Sequence, residues 1–364
     1  MSLLLALVVG LALLAAAVWL WDLVWMPFGI GLQPSANDSI AVLPGDDQPI
    51  HCYSLHPHPS QRGNRPQPGG LPTHLILLIP GNPGSPQFYK PFLDSLQSLL
   101  LQQSDHSRRY ELCCIAHGGH SLWTHRIHRG ARPIHPMTLE DQVQQKLEFV
   151  RHRIQGNPGM KIILIGHSIG AYFCLKVLGD LAARMERPDD IVERVIMLQP
   201  AVENIGQTPA GVRLRPILKR YGLAAKITGA VALLPAWIKE RLVRSYLDQA
   251  HDPATALELQ KAVLSLIDYK VALSCFKMGF HEVTEVHRFK GAKPLRRFEG
   301  KMLFMYAAND HWVPDEAVES LQNLFPKASH LIDPLFRHAF MMDPDGSARM
   351  AMAVARLIQG TIHN

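Results

Sequence analysis

The chain has 364 residues, a formal net charge of +6 and a sequence pI near 9.1, and apolar residues make up 47% of it. This length fits one large α/β domain with insertions or two ordinary domains, and the basic balance suits an anionic membrane surface. We expect no nucleic-acid partner, because no basic stripe is interleaved with aromatic residues, and five scattered cysteines predict reduced, buried thiols rather than disulfides or zinc.

The amino terminus, residues 1–27, predicts a membrane anchor. Ser2–Trp21 is 20 residues without a charge, enough at about 1.5 Å per residue to cross a hydrocarbon core of roughly 30 Å. Trp19, Trp21 and Trp25 gather at one end, as in an aromatic belt. A cleaved signal peptide and a buried core helix are the alternatives, and the signal peptide is disfavoured because no Lys or Arg precedes the apolar run.

Residues 28–72 predict short strands and a Pro/Gly-rich linker. Ser39–Val42 and Ile50–Tyr53 fit a hairpin, and the stretch from 56 to 72, rich in Pro, Gly, His and Arg, fits an exposed loop. Asn37 opens the only N-glycosylation triplet without proline. A glycan there would place the rest of the chain in the lumen.

Strand and helix patterns alternate over residues 73–200. The predicted strands are His74–Ile79, Tyr110–Ala116, Lys161–Ile165 and Val192–Leu198, and the predicted helices are Phe88–Leu101 and Leu139–Arg153. Such alternation predicts a mostly parallel sheet with helices on both faces. We interpret this segment as the first half of an α/β core.

The alternation stops over residues 201–286, where helical patterns take over, and it resumes over residues 287–364. The second half of the core is predicted to contain strands at Lys301–Tyr306 and Ala328–Ile332 and a closing helix at Ser347–Gln359. The helical block is therefore predicted to be an insertion between the two halves of one core. It lies where a lid over a site would lie.

Residues 162–170 read Ile-Ile-Leu-Ile-Gly-His-Ser-Ile-Gly, four aliphatic residues followed by Gly-x-Ser-x-Gly. The aliphatic run predicts a buried parallel strand, and residues 171–178 continue as a helix. Gly166 and Gly170 lack the Cβ atoms that would collide as the chain doubles back, which leaves the Ser168 hydroxyl exposed at the turn. Strand, sharp turn and helix together predict a nucleophile elbow and an α/β-hydrolase fold.

A serine nucleophile needs an imidazole to take its proton and a carboxylate to orient that imidazole. In α/β-hydrolases the acid and then the histidine follow late strands. Asp310 follows the strand that ends at Tyr306, and His338 follows the last strand, so the order is met. Weaker candidates, which lie within or beyond the last strand or next to the acid, are Asp333, Asp343, His330 and His311.

The oxyanion of a tetrahedral intermediate needs N–H donors that are already in place. One should be the backbone N–H of Ile169, directly after the nucleophile. The second should come from the Pro/Gly-rich loop at residues 80–84, after the first long strand. We assign it to the N–H of Asn82, with Gly81 as the alternative and a plain turn as the non-catalytic interpretation.

Three further patterns are less informative. Histidines at 117, 120, 125 and 128 resemble metal-ligand spacings, but no carboxylates or cysteines close a site, so we expect loop histidines at the site mouth and no metal or organic cofactor. Five basic residues within 288–297 fit a solvated loop or contact with anionic lipid. Ile227–Leu234 carries no charge and fits a core helix, a membrane-dipping helix or an acyl-chain-lining helix.

Several motifs occur together in this chain: Leu78–Gly84 followed by Phe88–Tyr89, then Ala116–His120, Leu164–Phe173, Tyr306–Pro314 and His338–Phe340. In this combination the chain resembles the lipid droplet-associated hydrolases, a branch of the α/β-hydrolase superfamily, from about residue 75 to the carboxyl terminus. The resemblance implies a serine lipid hydrolase acting on esters at droplet and endoplasmic reticulum surfaces, with sterol ester cleavage the usual assignment. By motif it places the nucleophile at Ser168, the acid at Asp310 and the base at His338.

The sequence therefore predicts a membrane-anchored serine esterase or lipase with a lipid ester as its substrate, at a lipid droplet, the endoplasmic reticulum membrane or both. Acyl transfer to an alcohol through the same acyl-enzyme is the alternative reaction, and a lipid-storage organising protein is the non-enzymatic alternative. The long apolar amino terminus departs from the resembled family. A spanning helix does not fit a droplet monolayer, whereas an anchor parallel to the interface does.

Overall fold

The computed structural model describes residues 35–43, 49–56, 71–102, 108–127, 134–247 and 253–360. The predicted anchor at residues 1–27 and most of the predicted loop from 56 to 72 lie outside these residues. Among the described residues, no single helix is both long enough and apolar enough to cross a membrane.

One sheet of eight strands forms the centre of the described structure. Its strands are β1 Asp38–Ala41, β2 Ile50–Leu55, β3 His74–Ile79, β4 Tyr110–Ile115, β5 Lys161–His167, β6 Val192–Leu198, β7 Met302–Ala307 and β8 Ser329–Asp333. Their order across the sheet is β1-β2-β4-β3-β5-β6-β7-β8. β2 runs antiparallel to both of its neighbours, and all other neighbouring strands are parallel. The predicted mostly parallel sheet is confirmed.

The helices of the described chain alternate with the strands except in one block. They are α1 Lys90–Leu101, α2 Leu122–Ile127, α3 Leu139–Gly156, α4 Ile169–Arg184, α5 Pro209–Leu218, α6 Tyr221–Ala232, α7 Ala236–Leu247, α8 Pro253–Ser265, α9 Tyr269–Glu285, α10 Ala292–Leu295, α11 Asp315–Leu324 and α12 Pro344–Ile358. The block from α5 to α9 lies between β6 and β7, and its described residues contain no strand. Helical structure is therefore found where it was predicted, and the function of the block as a lid remains a prediction.

Helices cover both faces of the sheet, which explains why its central strands are apolar without alternation. In β3, Leu75, Leu77 and Ile79 pack into a core shared with α3 and α4. Ile76 and Leu78, which point to the opposite face, pack into a second core shared with α1 and α12. The strand is buried on both sides, and its end is held rigidly beside the loop that follows it.

The observed strands agree with the predicted ones except at their ends. β5 extends to His167, two residues past the predicted end at Ile165, because Gly166 and His167 continue in register with Met197 and Leu198 of β6. Pairing with β6 thus extends β5 past Gly166, a residue that weakens a strand. As a result, Ser168 directly follows His167, the last residue of β5 that pairs with β6.

Replacement of a central strand residue should destabilise the protein far more than the same replacement at the edge. Leu164, in β5, has no solvent exposure, so we expect Leu164→Ala to lower the free energy of unfolding by about 2–5 kcal/mol through loss of burial and a residual cavity. The control is Leu331→Ala in the edge strand β8, where the side chain is 38% exposed, with an expected loss below about 1 kcal/mol. Equal losses in chemical denaturation would contradict this arrangement of the core.

Candidate active site

The turn between β5 and α4 has the geometry of a nucleophile elbow. Ser168 has φ 54° and ψ −122°, outside the strand and helix regions. A Cβ on Gly170 would lie 2.0 Å from the carbonyl oxygen of Ile79, and one on Gly166 would lie 2.7 Å from the backbone of Ala171. Both positions therefore require glycine, because the backbone itself occupies the space that a side chain would need.

A line of hydrogen bonds joins the three residues predicted to form the catalytic triad. The Ser168 hydroxyl lies 3.0 Å from Nε2 of His338, and Nδ1 of His338 lies 2.8 Å from Oδ2 of Asp310. Asp310 follows β7 and His338 follows β8, so the carboxyl ends of neighbouring parallel strands bring them together. The structure thus places all three side chains in contact, in the order that proton transfer would need.

The environment of Asp310 favours its ionised form. Burial of the carboxyl raises its pKa. The neighbouring His338 and the hydrogen bonds from the backbone N–H groups of Trp312 and Val313 lower the pKa by more than burial raises it, so the net pKa is below the ordinary value. An ionised carboxylate only accepts hydrogen bonds. It therefore holds the proton of His338 on Nδ1 and leaves Nε2 as the acceptor for the Ser168 hydroxyl.

The weaker acid and base candidates are bonded elsewhere. Asp333 accepts a hydrogen bond from the backbone N–H two residues later, and Asp343 caps α12. The ring of His330 lies 3.0 Å from the hydroxyl of Tyr306. His311 is exposed. Among the described residues, none of these side chains has a hydrogen bond to the Ser168 hydroxyl.

The loop after β3 lies directly beside Ser168, the candidate nucleophile. A Cβ on Gly81 would be 3.0 Å from Cβ of Ser168. The N–H of Gly81 donates to the hydroxyl of Tyr89 at 2.9 Å, so this alternative oxyanion donor is already engaged. Ile169 is the first residue of α4, and its N–H has no acceptor within the helix. Asn82 and Ile169 therefore remain the two candidate donors.

A second chain of hydrogen bonds, not predicted from the sequence, connects the loops around Ser168. The hydroxyl of Tyr89 lies 2.6 Å from Nδ1 of His167, and Nε2 of His167 lies 2.7 Å from the carbonyl oxygen of His338. The carbonyl can only accept, so Nε2 carries the proton and Nδ1 accepts from Tyr89. Burial lowers the pKa of His167 to about 3, with a smaller contribution from His338, which keeps the ring neutral. The buried imidazole of His167 thus joins three segments: the loop at residues 80–84, which we call the oxyanion loop, the turn at Ser168, and the loop that carries His338.

A buried carboxyl from the helical block contacts the oxyanion loop. Nδ2 of Asn82 donates to Oε1 of Glu282 at 2.9 Å and to the carbonyl oxygen of Cys275 at 3.0 Å, both in α9. Burial raises the pKa of Glu282 to about 8, and the hydrogen bond from Asn82 only partly opposes it. The side chain of Asn82 is therefore held by α9.

Two of the four histidines predicted to line the site mouth, His117 and His120, are buried, because the chain after β4 packs against the loop at residues 80–84. His125 is partly buried, and His128 lies outside the described residues. The backbone N–H of Gly84 donates to Nδ1 of His120 at 3.2 Å, and a Cβ on Gly84 would lie 2.1 Å from the ring of His117. Among the described residues, no group of three or more His, Cys, Asp or Glu side chains could hold a metal ion.

The strand order and the elbow are those of the α/β-hydrolase fold, and solved structures agree. An esterase from Thermogutta terrifontis aligns with a TM-score of 0.53 and 16% identity over 89% of this chain and 99% of its own. A soluble variant of monoglyceride lipase from Saccharomyces cerevisiae aligns with a TM-score of 0.54 and 13% identity over 93% of this chain and 100% of its own. At these identities the likeness shows the fold.

The sequence comparisons identify the family. The model of the lipid-droplet associated hydrolase family matches residues 72–341. The lipid droplet-associated hydrolase of Homo sapiens is 30% identical over 281 residues, which cover 74% of this chain and 80% of the human protein. The chain belongs to the lipid droplet-associated hydrolase family.

The Tyr89 hydroxyl should position the site. Tyr89→Phe would leave the N–H of Gly81 and Nδ1 of His167 without a partner, so we expect kcat for an ester substrate to fall about tenfold with little change in KM, and the free energy of unfolding to fall by about 1–3 kcal/mol. Tyr53→Phe is the matched control, since the buried Tyr53 hydroxyl donates to Asp94 away from the site. A kcat for Tyr89→Phe equal to that of the control would show that the link does not support catalysis.

The buried Glu282 should make stability fall as the pH rises. The pKa of Glu282 is about 8 in the folded protein against an ordinary value of 4.5. The protonated carboxyl therefore contributes its full share to the stability of the folded protein below about pH 4.5, and this contribution is lost as the pH rises towards about 8. Glu282→Gln cannot ionise. We therefore expect the Tm of the variant, relative to wild type, to increase from about pH 5 to about pH 8. The exposed Glu319→Gln control should show no such trend, and the same flat profile for Glu282→Gln would exclude a protonated carboxyl.

Proposed function

We propose that this protein is a serine hydrolase that cleaves lipid esters, with Ser168 as the nucleophile, His338 as the general base and Asp310 as the orienting acid. The hydrogen-bonded line from Ser168 through His338 to Asp310 carries this proposal. Membership of a lipid droplet-associated hydrolase family supports a lipid substrate. Among lipid esters, we propose sterol esters or other neutral-lipid esters as the substrates.

The geometry supports a two-step mechanism. Nε2 of His338 takes the proton of Ser168 as the serine oxygen attacks the ester carbonyl, and the N–H groups of Asn82 and Ile169 stabilise the oxyanion that forms. Collapse of this intermediate breaks the bond to the alcohol, which takes the proton from His338. Water then attacks the acyl-enzyme with His338 again as the base, which releases the fatty acid and restores Ser168.

We propose that the helical block at residues 201–286 acts as a lid over this site. Its last helix, α9, holds the side chain of Asn82 through Glu282 and the carbonyl of Cys275. At its other end, the N–H of Ala210 in α5 donates to the carbonyl of His311, next to the acid. Both attachments lie in loops that carry proposed site residues. Movement of the block would therefore displace the loop of Asn82 and the loop of Asp310.

We also propose that the protein works at the surface of a lipid droplet or of the endoplasmic reticulum, with residues 1–27 as its membrane anchor. The names of its relatives support the droplet. The uncharged Ser2–Trp21 stretch supports the anchor.

Labelling by a fluorophosphonate probe should test the nucleophile and its partners. We expect wild-type protein to be labelled, Ser168→Ala to show no labelling, and His338→Ala and Asp310→Asn to be labelled about 10³–10⁴-fold more slowly, because the serine then lacks its base or the correct tautomer of that base. Ser98→Ala, at an exposed serine of α1, is the control and should be labelled like wild type.

Two outcomes of this experiment would contradict the proposal. Folded wild-type protein that is not labelled would exclude a serine hydrolase. Labelling that survives Ser168→Ala would exclude the assigned nucleophile. Release of fatty acid from emulsified sterol esters and triacylglycerols, compared between wild type and Ser168→Ala, then tests the substrate class.

A further inference from the structure

The junction of α6 and α7 exposes a group of apolar side chains. The second of the two helix segments, Tyr221–Ala232 and Ala236–Ser245, is bent by 112° from the direction of the first. Leu233 at the corner is 82% exposed and Trp237 is 66% exposed, more than any other large apolar side chain in the described part of the chain. Leu223 and Ile227 are exposed on the same helix, α6. We refer to Leu223, Ile227, Leu233 and Trp237 as the apolar corner.

In the described part of the chain, the four side chains of the apolar corner belong to neither hydrophobic core. α6 packs closely against α9 through a buried stripe of Ala225, Thr228 and Val231. Leu223 and Ile227 are four residues apart and form an exposed pair that borders this stripe. Exposed apolar side chains that cluster in this way are typical of an interaction surface.

The surroundings of the apolar corner are strongly basic. Residues 209–247 contain eight Lys or Arg residues and a single acid, Glu240. The exposed basic residues of this segment are Arg213, Lys219, Arg220, Lys226, Arg241 and Arg244. On α7 the exposed positions run from Trp237 at the corner to Arg241 and Arg244 further along, so apolar groups form the tip and cations flank it. This arrangement matches a surface with an apolar interior and anionic headgroups.

The apolar corner belongs to the helices that attach to the active site. α5, which leads into α6, begins beside His311 in the acid loop. α9, on which α6 packs, holds the side chain of Asn82 through Glu282. A surface that binds the corner would therefore contact the segment that is tied to both the acid loop and the oxyanion loop.

We infer that the apolar corner docks on a phospholipid surface, with Leu233 and Trp237 inserted among the acyl chains and the flanking Lys and Arg side chains at the headgroups. The inference rests on the proposed function, because a lipid ester substrate lies beneath such a surface. Docking at this corner is distinct from the N-terminal anchor, and it brings the proposed lid itself to the lipid.

An environment-sensitive fluorophore at position 233 tests the docking in the full chain. The native cysteines are buried, except Cys275, which is partly buried, so a nitrobenzoxadiazole label on Leu233→Cys reports on the corner, with labelled wild type as the background. The control is the same label on Leu335→Cys, at a side chain that is 60% exposed beyond β8. On triolein droplets coated with phosphatidylcholine and phosphatidylserine, we expect a blue shift at 233 and a water-like spectrum at 335.

Three results would overturn the inference. The label at 233 could stay water-like in protein that floats with the droplets, which would leave binding to the N-terminal segment alone. A shift at 335 equal to that at 233 would show that the contact is not specific to the corner. A blue shift without lipid that grows with protein concentration would identify a second copy of the chain as the occupant.

Charge reversal provides a functional test. We expect Lys226→Glu with Arg241→Glu to lower the rate on an emulsified ester coated with anionic phospholipid about tenfold or more, and to leave the rate on a soluble short-chain ester unchanged. The control is Lys293→Glu with Arg296→Glu, at exposed positions of the other basic cluster, which should leave both rates unchanged. Equal losses from the two pairs would overturn the inference. If folded wild type is not labelled by the fluorophosphonate, the proposed function is rejected, but a blue shift at position 233 still shows that the apolar corner docks on lipid.

Discussion

The close approach of Gly170 to the end of β3 is the constraint on which the site depends. A Cβ at this position would overlap the carbonyl oxygen of Ile79, so the first turn of α4 packs backbone to backbone against the loop that carries Asn82. The first residue of α4 is Ile169, and the residue before it is Ser168. One crossing of two backbone segments thus brings the turn that carries Ser168 against the loop at residues 80–84.

Two neighbouring histidines in this site have different hydrogen-bond partners. His338 donates through Nδ1 to the ionised Asp310, which leaves its Nε2 as the acceptor for the Ser168 hydroxyl. His167 has neutral partners, the Tyr89 hydroxyl and a backbone carbonyl, and burial keeps its ring uncharged. His167 therefore links the loops around Ser168 and makes no hydrogen bond to the Ser168 hydroxyl.

The sequence predicted the sheet, the elbow and the residues that meet Ser168, because each depends on local pattern and on strand order. The carboxyl ends of parallel strands meet at one edge, so Asp310 and His338 could be placed near Ser168 from their positions after late strands alone. The roles of Tyr89 and Glu282 could not be predicted in this way. Tyr89 contacts the loop at residues 80–84 from the turn that follows it, and Glu282 contacts it from α9. Such contacts follow from how the loops and helices pack, which periodicity does not encode.

The backbone conformation of Ser168 lowers the stability of the turn at the position proposed for the nucleophile. A positive φ at a residue with a Cβ costs of the order of 1–3 kcal/mol, and the fold accepts that cost at the position where the hydroxyl must project from the turn. Glycine would adopt the same backbone without strain. The proposed nucleophile is therefore not the residue that would make the turn most stable, and the packing of β5 and α4 around it must offset the difference.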